Sequence, residues 1–254
     1  LQVKPQLQVK HVIMQYGQPM NADIILEQIW RSARWIIPAM LILSGLRFAY
    51  KARLKGAVGE AALAKVLSPH AQAAMHDVYL PDNRGGLTQI DHLLLSSRGL
   101  EVIETKNYSG NILGRATDKT WTQRLRRRTV RFQNPLQQNY GHVQAVKAVV
   151  GDTVPVNNVV VFGAAARFKH EQPSDVYSPA QFVRILKQSK SSMQVPPTWL
   201  QAWEKLQAEC RRDRSTRNQH LAQNNARHGR DYRPVVGLTL LLGGMLLALW
   251  FWMN

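Results

Sequence analysis

The chain has 254 residues, with 33 Lys+Arg against 16 Asp+Glu, a net charge of +17 and one cysteine, Cys210. A hydrophobic share of 45% excludes wholesale disorder, and one cysteine excludes an intramolecular disulfide framework or a multi-cysteine zinc ribbon. The positive excess is larger than solubility needs and points to an acidic partner, nucleic acid or anionic lipid.

In chain order, an N-terminal segment, 1–34, precedes an apolar stretch from Trp35 to Leu46 between Arg34 and Arg47. About 12 residues fall short of the roughly 17 needed to span a bilayer. The stretch extends from Ile29 to Tyr50 if Arg31, Arg34 and Arg47 snorkel. Residues 35–50 are therefore either a transmembrane or an interfacial helix. Ala57, Ala61, Ala62, Leu63 and Val66 have helical spacing, so Lys55 to Leu67 reads as a helix that Ser68-Pro69 ends. A strand over Ala74–Leu80 and a turn over 81–86 follow. Thr88–Ser96 and Leu100–Lys106, joined by Ser97-Arg98-Gly99, read as a hairpin. Thr120–Phe132 reads as a second hairpin, with a cationic tip. Asn134 is placed to cap a helix that has Pro135 in its first turn and runs to about Val150. Val159–Phe162 is wholly apolar, as in a buried strand. Ser178 and Gln181 form a capping-box pattern for a helix through Lys187, and Trp199–Arg211 is a further helix. Residues 210–234 read as a basic linker or a basic helix against a membrane surface. Residues 235–253 carry no charge, and about 19 apolar residues suffice to cross a hydrocarbon core of about 30 Å.

Charge sets the expected topology. Arg47, Lys51, Arg53 and Lys55 follow the first apolar stretch, and Arg227, Arg230 and Arg233 precede the second. Basic flanks at both ends of the middle region place it on the cytoplasmic side of the cell membrane. The stretch between the two apolar segments, 47–233, carries about +15, and within it 55–209 reads as one α/β or α+β unit with a small mixed sheet.

The chemistry concentrates on the first hairpin. Glu104 and Lys106, two apart on one strand, share a face, and Asp91 on the neighbouring strand can approach Glu104 across the hairpin. Paired carboxylates make a hard oxygen site of the kind Mg²⁺ or Mn²⁺ prefers, and an adjacent lysine can orient a water or neutralise phosphate. The bland alternative is an exposed ion pair; the apolar Ile90, Val102 and Ile103 argue for buried strands, where idle carboxylates are disfavoured. Arg124, Arg126, Arg127, Arg128 and Arg131 form a basic comb suited to phosphates. Tyr108 can stack on bases, whereas Trp121 reads as core. His92 and His142 read either as assisting the site or as structural, the latter favoured, and Cys210 has no nucleophilic partner.

The motifs Gly56-Ala-Val-Gly-Glu60, Thr88-Gln-Ile-Asp-His92, Gly99-Leu-Glu-Val-Ile-Glu-Thr-Lys106, Gly110-Asn-Ile-Leu-Gly114, Trp121 and Asn134-Pro-Leu-Gln-Gln138 with His142 resemble the nuclease-related domain, NERD. The resemblance runs from about Gly56 to about Phe168. It implies a restriction-endonuclease-like fold of the PD-(D/E)xK superfamily, a central mixed sheet flanked by helices. It also implies metal binding by Asp91 and Glu104, catalysis by Lys106, an extra acidic position at Glu60 and a supporting role for Gln138. Ile90 stands where the superfamily often has proline. The kinase, helicase and zinc-ribbon modules that accompany this domain elsewhere are absent from this sequence.

The expected function is therefore a membrane-anchored, Mg²⁺- or Mn²⁺-dependent endonuclease acting on DNA, with RNA left open. Lipid contact would come through 235–253 and, if it inserts, 35–50. The rival reading is a non-catalytic module that tethers DNA at the membrane. A weaker third is a lipid-bound scaffold for protein partners.

Overall fold

The computed structural model describes residues 22–82, 85–190, 194–229 and 231–253. Most of the N-terminal segment, the middle of the 81–86 turn and Arg230 of the basic flank lie outside the described residues, as do the side chains of 50–55. Two compact units are present, one of Leu1–Lys51 with Tyr232–Asn254, the other of Ala52–Asp231. Helices α1 (Ala22–Ala33), α2 (Ile36–Leu67) and a 3₁₀ turn (Ser68–His70) come first. Strands β1 (Ala73–Pro81), β2 (Leu87–Ser96), β3 (Gly99–Lys106), β4 (Gly110–Leu113), β5 (Thr120–Leu125) and β6 (Arg128–Gln133) follow. Helix α3 (Pro135–Val150), strands β7 (Val156–Phe162), β8 (Ala166–Phe168) and β9 (Val176–Tyr177), then α4 (Pro179–Lys190), α5 (Pro197–Glu209), α6 (Arg214–His228) and α7 (Arg233–Met253) complete the chain.

In the first unit α7 runs antiparallel to the first part of α2. Trp35 meets Phe251 edge-on at 6.5 Å between ring centroids. A Cβ on Gly45 would lie 2.6 Å from the Gly237 carbonyl oxygen, and one on Gly244 would lie 3.0 Å from that of Pro38. The backbones therefore touch where only glycine lets them, as small residues allow in lipid-facing helix pairs. Among the described residues α7 is the one helix long and apolar enough to cross a membrane.

The second unit is a mixed α/β fold, with central sheets flanked by helices. The larger sheet has the order β1-β2-β3-β7-β9; β1, β2 and β3 are antiparallel, and β3, β7 and β9 parallel. The smaller has the order β6-β5-β4-β8. Residues 210–212 cover the free edge of β1, where Tyr79 and Arg211 exchange two backbone hydrogen bonds of 2.9 Å. Covering an edge removes a template for unwanted pairing.

β3 is buried along six consecutive residues and re-emerges at Thr105 and Lys106, because both faces of the sheet are covered. On one face Leu93, Leu95, Leu100 and Val102 pack on Val143 and Val146 of α3 and on Trp203 and Leu206 of α5. On the other, Leu94, Ile103, Val159 and Val161 pack on Leu63 and Leu67 of α2 and Phe182 and Leu186 of α4. Each fully buried side chain of this size contributes roughly 1.5–3 kcal/mol. Trp121, Ile112 and Phe162 form a third cluster at the smaller sheet, with Trp121 fully buried as core.

Local signals explain where α3 and α4 begin. Asn134 Oδ1 accepts from the Leu136 N–H at 2.9 Å, and Asn134 Nδ2 donates to the carbonyls of Ala116 and Asp118. Ser178 and Gln181 make the reciprocal capping box, at 2.7 and 3.4 Å. Asn139, fully buried, fastens α3 to the sheet by donating to the carbonyls of Val102 and Val159 and to Asn158 Oδ1. That fastening aims Gln138 and His142 at the end of β3.

Candidate active site

Register decides which side chains meet. β2 and β3 pair His92 with Ile103 and Leu93 with Val102, so one step further along Asp91 stands opposite Glu104. The Thr105 N–H donates to Asp91 Oδ2 at 2.8 Å, fixing that carboxylate to the neighbouring strand. Lys106 Nζ donates to Glu104 Oε1 at 2.6 Å and to Gln138 Oε1 at 2.9 Å, while Gln138 Nε2 donates to the same Glu104 Oε1 at 2.8 Å. These three side chains close a ring of hydrogen bonds at the end of β3.

His142, one turn beyond Gln138, joins from the other side. Its Nε2 stands 3.3 Å from Glu104 Oε2, an ion-pair distance whose angle falls short of a hydrogen bond. Its Nδ1 bonds Thr88 Oγ1 at 2.6 Å. Of the two roles open to His142 from the sequence, the structure favours the one at the site, since it brings the ring onto Glu104. The i, i+4 spacing of Gln138 and His142 on a capped helix was the available signal. His92 points to the opposite face, is 1% exposed and bonds His76 through the two Nδ1 atoms at 2.9 Å. Burial, with His76 beside it, pulls its pKa down to about 3, so it is neutral and structural.

The carboxylates do not share one environment. Burial and the Glu104 charge push the Asp91 carboxyl well above the usual range, against the Thr105 N–H that pulls it down. Burial also pushes Glu104 up, but His142 and the Lys106 ammonium outweigh it and hold Glu104 below that range. Glu60, half-buried near the end of α2, is raised by burial and by the charges of Asp77 and Glu104, with Lys106 and Arg217 opposing. Glu60 and Glu104 thus both act on Asp91, and Asp77 acts on Glu60. Asp77 sits at an interruption of the β1–β2 ladder with φ of +49° and accepts from Gln89 Nε2 at 2.8 Å. No sequence signal separated Asp77 from an ordinary strand residue.

Asp91, Glu104, Gln138 and His142 line a cavity of 790 Å³. Its far wall is α6, inside the stretch read as a basic linker or helix. Asp213 caps that helix by accepting from the Thr216 N–H at 2.9 Å. His220 Nδ1 bonds the Leu87 carbonyl at 2.9 Å, and Gln223 Oε1 accepts from the Leu87 N–H at 3.0 Å. The composition of 210–234 gave no sign of that contact with β2.

Two close carboxylates, one of them pushed well above the usual range by burial and by the charge of the other, suit a hard divalent cation; Mg²⁺ is commonly held by one or two carboxylates plus water and phosphate. Among the described residues no group of three or more His, Cys, Asp and Glu side chains is gathered to hold a metal alone.

The five arginines lie on the β5–β6 hairpin, all exposed, and none lines the cavity. The register Thr122↔Arg131 and Arg124↔Thr129 puts Arg124 and Arg131 on one face and Arg128 on the other. Arg126, with φ of +53°, and Arg127 make the turn. Tyr108 packs edge-on against Phe132 at 4.8 Å.

A family model described as "Nuclease-related domain" matches residues 55–163. An uncharacterized protein of Bacillus anthracis is 32% identical over 130 residues, which cover 50% of this chain and 61% of that relative. The chain thus spans about three fifths of the length of the curated relative it matches. No solved structure matches. Glu60, Asp91, Glu104, Lys106 and Gln138 all fall within the matched residues, and the chain contains a nuclease-related domain, NERD, over residues 55–163.

Proposed function

We propose that the 52–231 unit is a metal-dependent nuclease of restriction-endonuclease-like fold that hydrolyses DNA phosphodiesters. The observation that carries this reading is the juxtaposition of Asp91 and Glu104 across β2–β3, with Lys106 and Gln138 ringed on the same Glu104 oxygen in a cavity. Asp91 and Glu104, with Glu60 behind them, would hold Mg²⁺ or Mn²⁺. Such a cation, when bound, polarises the phosphoryl group and lowers the pKa of its water. Lys106 Nζ donates a proton of its ammonium in a hydrogen bond to the attacking water or a phosphate oxygen. Gln138 positions Lys106, and His142, held by Thr88, positions Glu104. Arg124 and Arg131, on one hairpin face, would hold the substrate backbone away from the reacting bond.

The flanking unit would anchor this domain in the cell membrane. The apolar α7 and its close antiparallel contact with the first part of α2 support α7 as the span, with residues 35–50 beside it. The basic flanks support a cytoplasmic nuclease domain.

The test is cleavage of DNA by the full chain in detergent with Mg²⁺ or Mn²⁺, beside Lys106→Ala and Glu104→Ala. Loss of cleavage in both variants, with the fold retained, is expected. Full activity in either refutes the assignment. A second reading, DNA tethering without turnover, is favoured by the closed Glu104–Lys106–Gln138 ring, which engages two of the three lysine donors. Salt-dependent binding without product under either cation would select it.

A further inference from the structure

A groove between two helices of the 52–231 unit leads to the carboxylates. On one side α3 lines it with Gln137, Tyr140, Gly141 and Gln144, spaced i, i+3, i+4 and i+7, a single helical stripe. On the other side α6 lines it with Asn224 and Asn225. This second wall lies beyond the 55–163 match, so it is not part of the nuclease-related domain. His220 and Gln223 bind it to both backbone groups of Leu87, which makes the wall a fixed part of the fold.

Three properties say what the groove would take. Among the described residues no Lys or Arg lines the cavity, and away from Asp82, Asp91 and Glu104 the polar lining is carboxamide, histidine and hydroxyl. Carboxamides offer donors and acceptors together, as base edges require, rather than charge for a phosphate row. Tyr140 is 59% exposed on the groove, whereas Trp121, Phe162 and Phe182 are buried. An exposed aromatic ring on a polar wall suits stacking on a base. Gly141 sits inside α3, where glycine weakens a helix relative to alanine, and a Cβ there would meet nothing within 4 Å. The groove floor is therefore open at that point. The volume, 790 Å³, is on the scale of ligand clefts, roughly 300–1,000 Å³. A few unpaired nucleotides fill such a space; a duplex must bring in two backbones.

We propose that this groove receives a single polynucleotide strand and leads it to Asp91 and Glu104, with Tyr140 stacking on a base and the Gln and Asn side chains holding base edges. The proposal rests on the nuclease reading and names its substrate class. Single-stranded DNA and RNA share this chemistry, and the experiment separates them.

Full-length protein in detergent is titrated with short labelled single-stranded DNA, single-stranded RNA of the same sequence and a blunt duplex. Binding is read in EDTA, and cleavage in Mg²⁺. Tyr140→Ala is expected to weaken single-strand binding by roughly 5- to 150-fold, the range for one stacked base, while Tyr140→Phe binds like wild type. Gly141→Phe, which the open space accommodates and circular dichroism checks for folding, is expected to block both binding and cleavage of single strands. Preference for DNA or for RNA identifies the source, and either supports the proposal. Variants that bind and cut like wild type, while Glu104→Ala is inactive, overturn the groove and leave the nuclease reading standing. Binding of duplex alone also overturns it. A wild type that neither binds nor cuts any strand overturns both.

Discussion

Asp91 is a carboxylate that works against its own fold, and Asp91→Asn should stabilise the metal-free protein while removing cleavage. Opposed residues on neighbouring strands are about 5 Å apart. At that separation, with an effective dielectric of about 20, two carboxylates repel by roughly 3 kcal/mol. Lys106, bonded to Glu104, and the Thr105 N–H offset part of this, leaving a net strain of about 1–2 kcal/mol at neutral pH. Asparagine keeps the acceptor for Thr105 and discards the charge. The folded pKa of Asp91 is raised. Its favourable contribution is therefore complete below the unfolded value of about 3.9 and is lost as pH rises through the folded value. The variant escapes that loss, so its advantage over wild type grows from acid to neutral pH. Thermal unfolding in EDTA should show the variant higher by about 2–8 °C near pH 7.5 and nearly equal near pH 4. Added Mg²⁺ should raise the wild type and leave the variant unmoved. A variant less stable than wild type at neutral pH in EDTA, or a gap independent of pH, refutes the electrostatic account of the site.

Other outcomes follow from particular contacts. Lys106→Ala should lower kcat by about 10²–10⁴-fold, the usual scale for a positioned proton donor or acceptor, measured on a DNA substrate at saturating Mg²⁺. Asn134→Ala removes a helix cap, takes the Asn134 donor from the Ala116 carbonyl and leaves the Asp118 carbonyl the longer 3.4 Å bond from Gln137; denaturant unfolding should show a loss of about 2–4 kcal/mol. Replacing Arg124 and Arg131 together by Gln should flatten the salt dependence of DNA binding by roughly one to two units of log–log slope, while Glu104-dependent cleavage chemistry persists at low salt. Burial pushes the Cys210 thiol up to about 11, so alkylation by iodoacetamide should be slow at pH 8 and accelerate steeply with added base. Fast labelling at neutral pH would contradict the burial of that residue against the α5 core.

Elements whose signal is local were legible. The Asn134 cap, the Ser178–Gln181 capping box, both hairpins and the buried run of β7 each depend on a few adjacent residues. β4, β8 and β9 are two to four residues long, which leaves little periodicity to read, and β8 and β9 stand by parallel pairing with strands that are not their chain neighbours, β4 and β7. The helix read as Lys55–Leu67 is the end of the 32-residue α2, since nothing between Tyr50 and Lys55 breaks helical spacing.

The candidate site divides in the same way. Hairpin arithmetic and face-sharing were enough to bring Asp91, Glu104 and Lys106 together, because strand period and a short connection leave few registers open. Residues contributed across long gaps, Glu60 and Gln138, were named only through the motif resemblance and not from local pattern. His142 reaches Glu104 only because Asn139 fastens α3 to the sheet. Asp77 joins the acidic field only through the β1–β2 pairing. The arginines, adjacent in sequence, separate onto two faces and a turn because a two-residue hairpin sends successive side chains to opposite sides. By itself, then, the sequence determined the apolar α7, the strand-borne carboxylate pair and the nuclease-related motifs, all of which rest on local pattern. Only the tertiary structure decided that α6 closes the cavity over that pair: the contact joins Leu87 to His220 and Gln223, more than 130 residues away, through hydrogen bonds that composition does not encode.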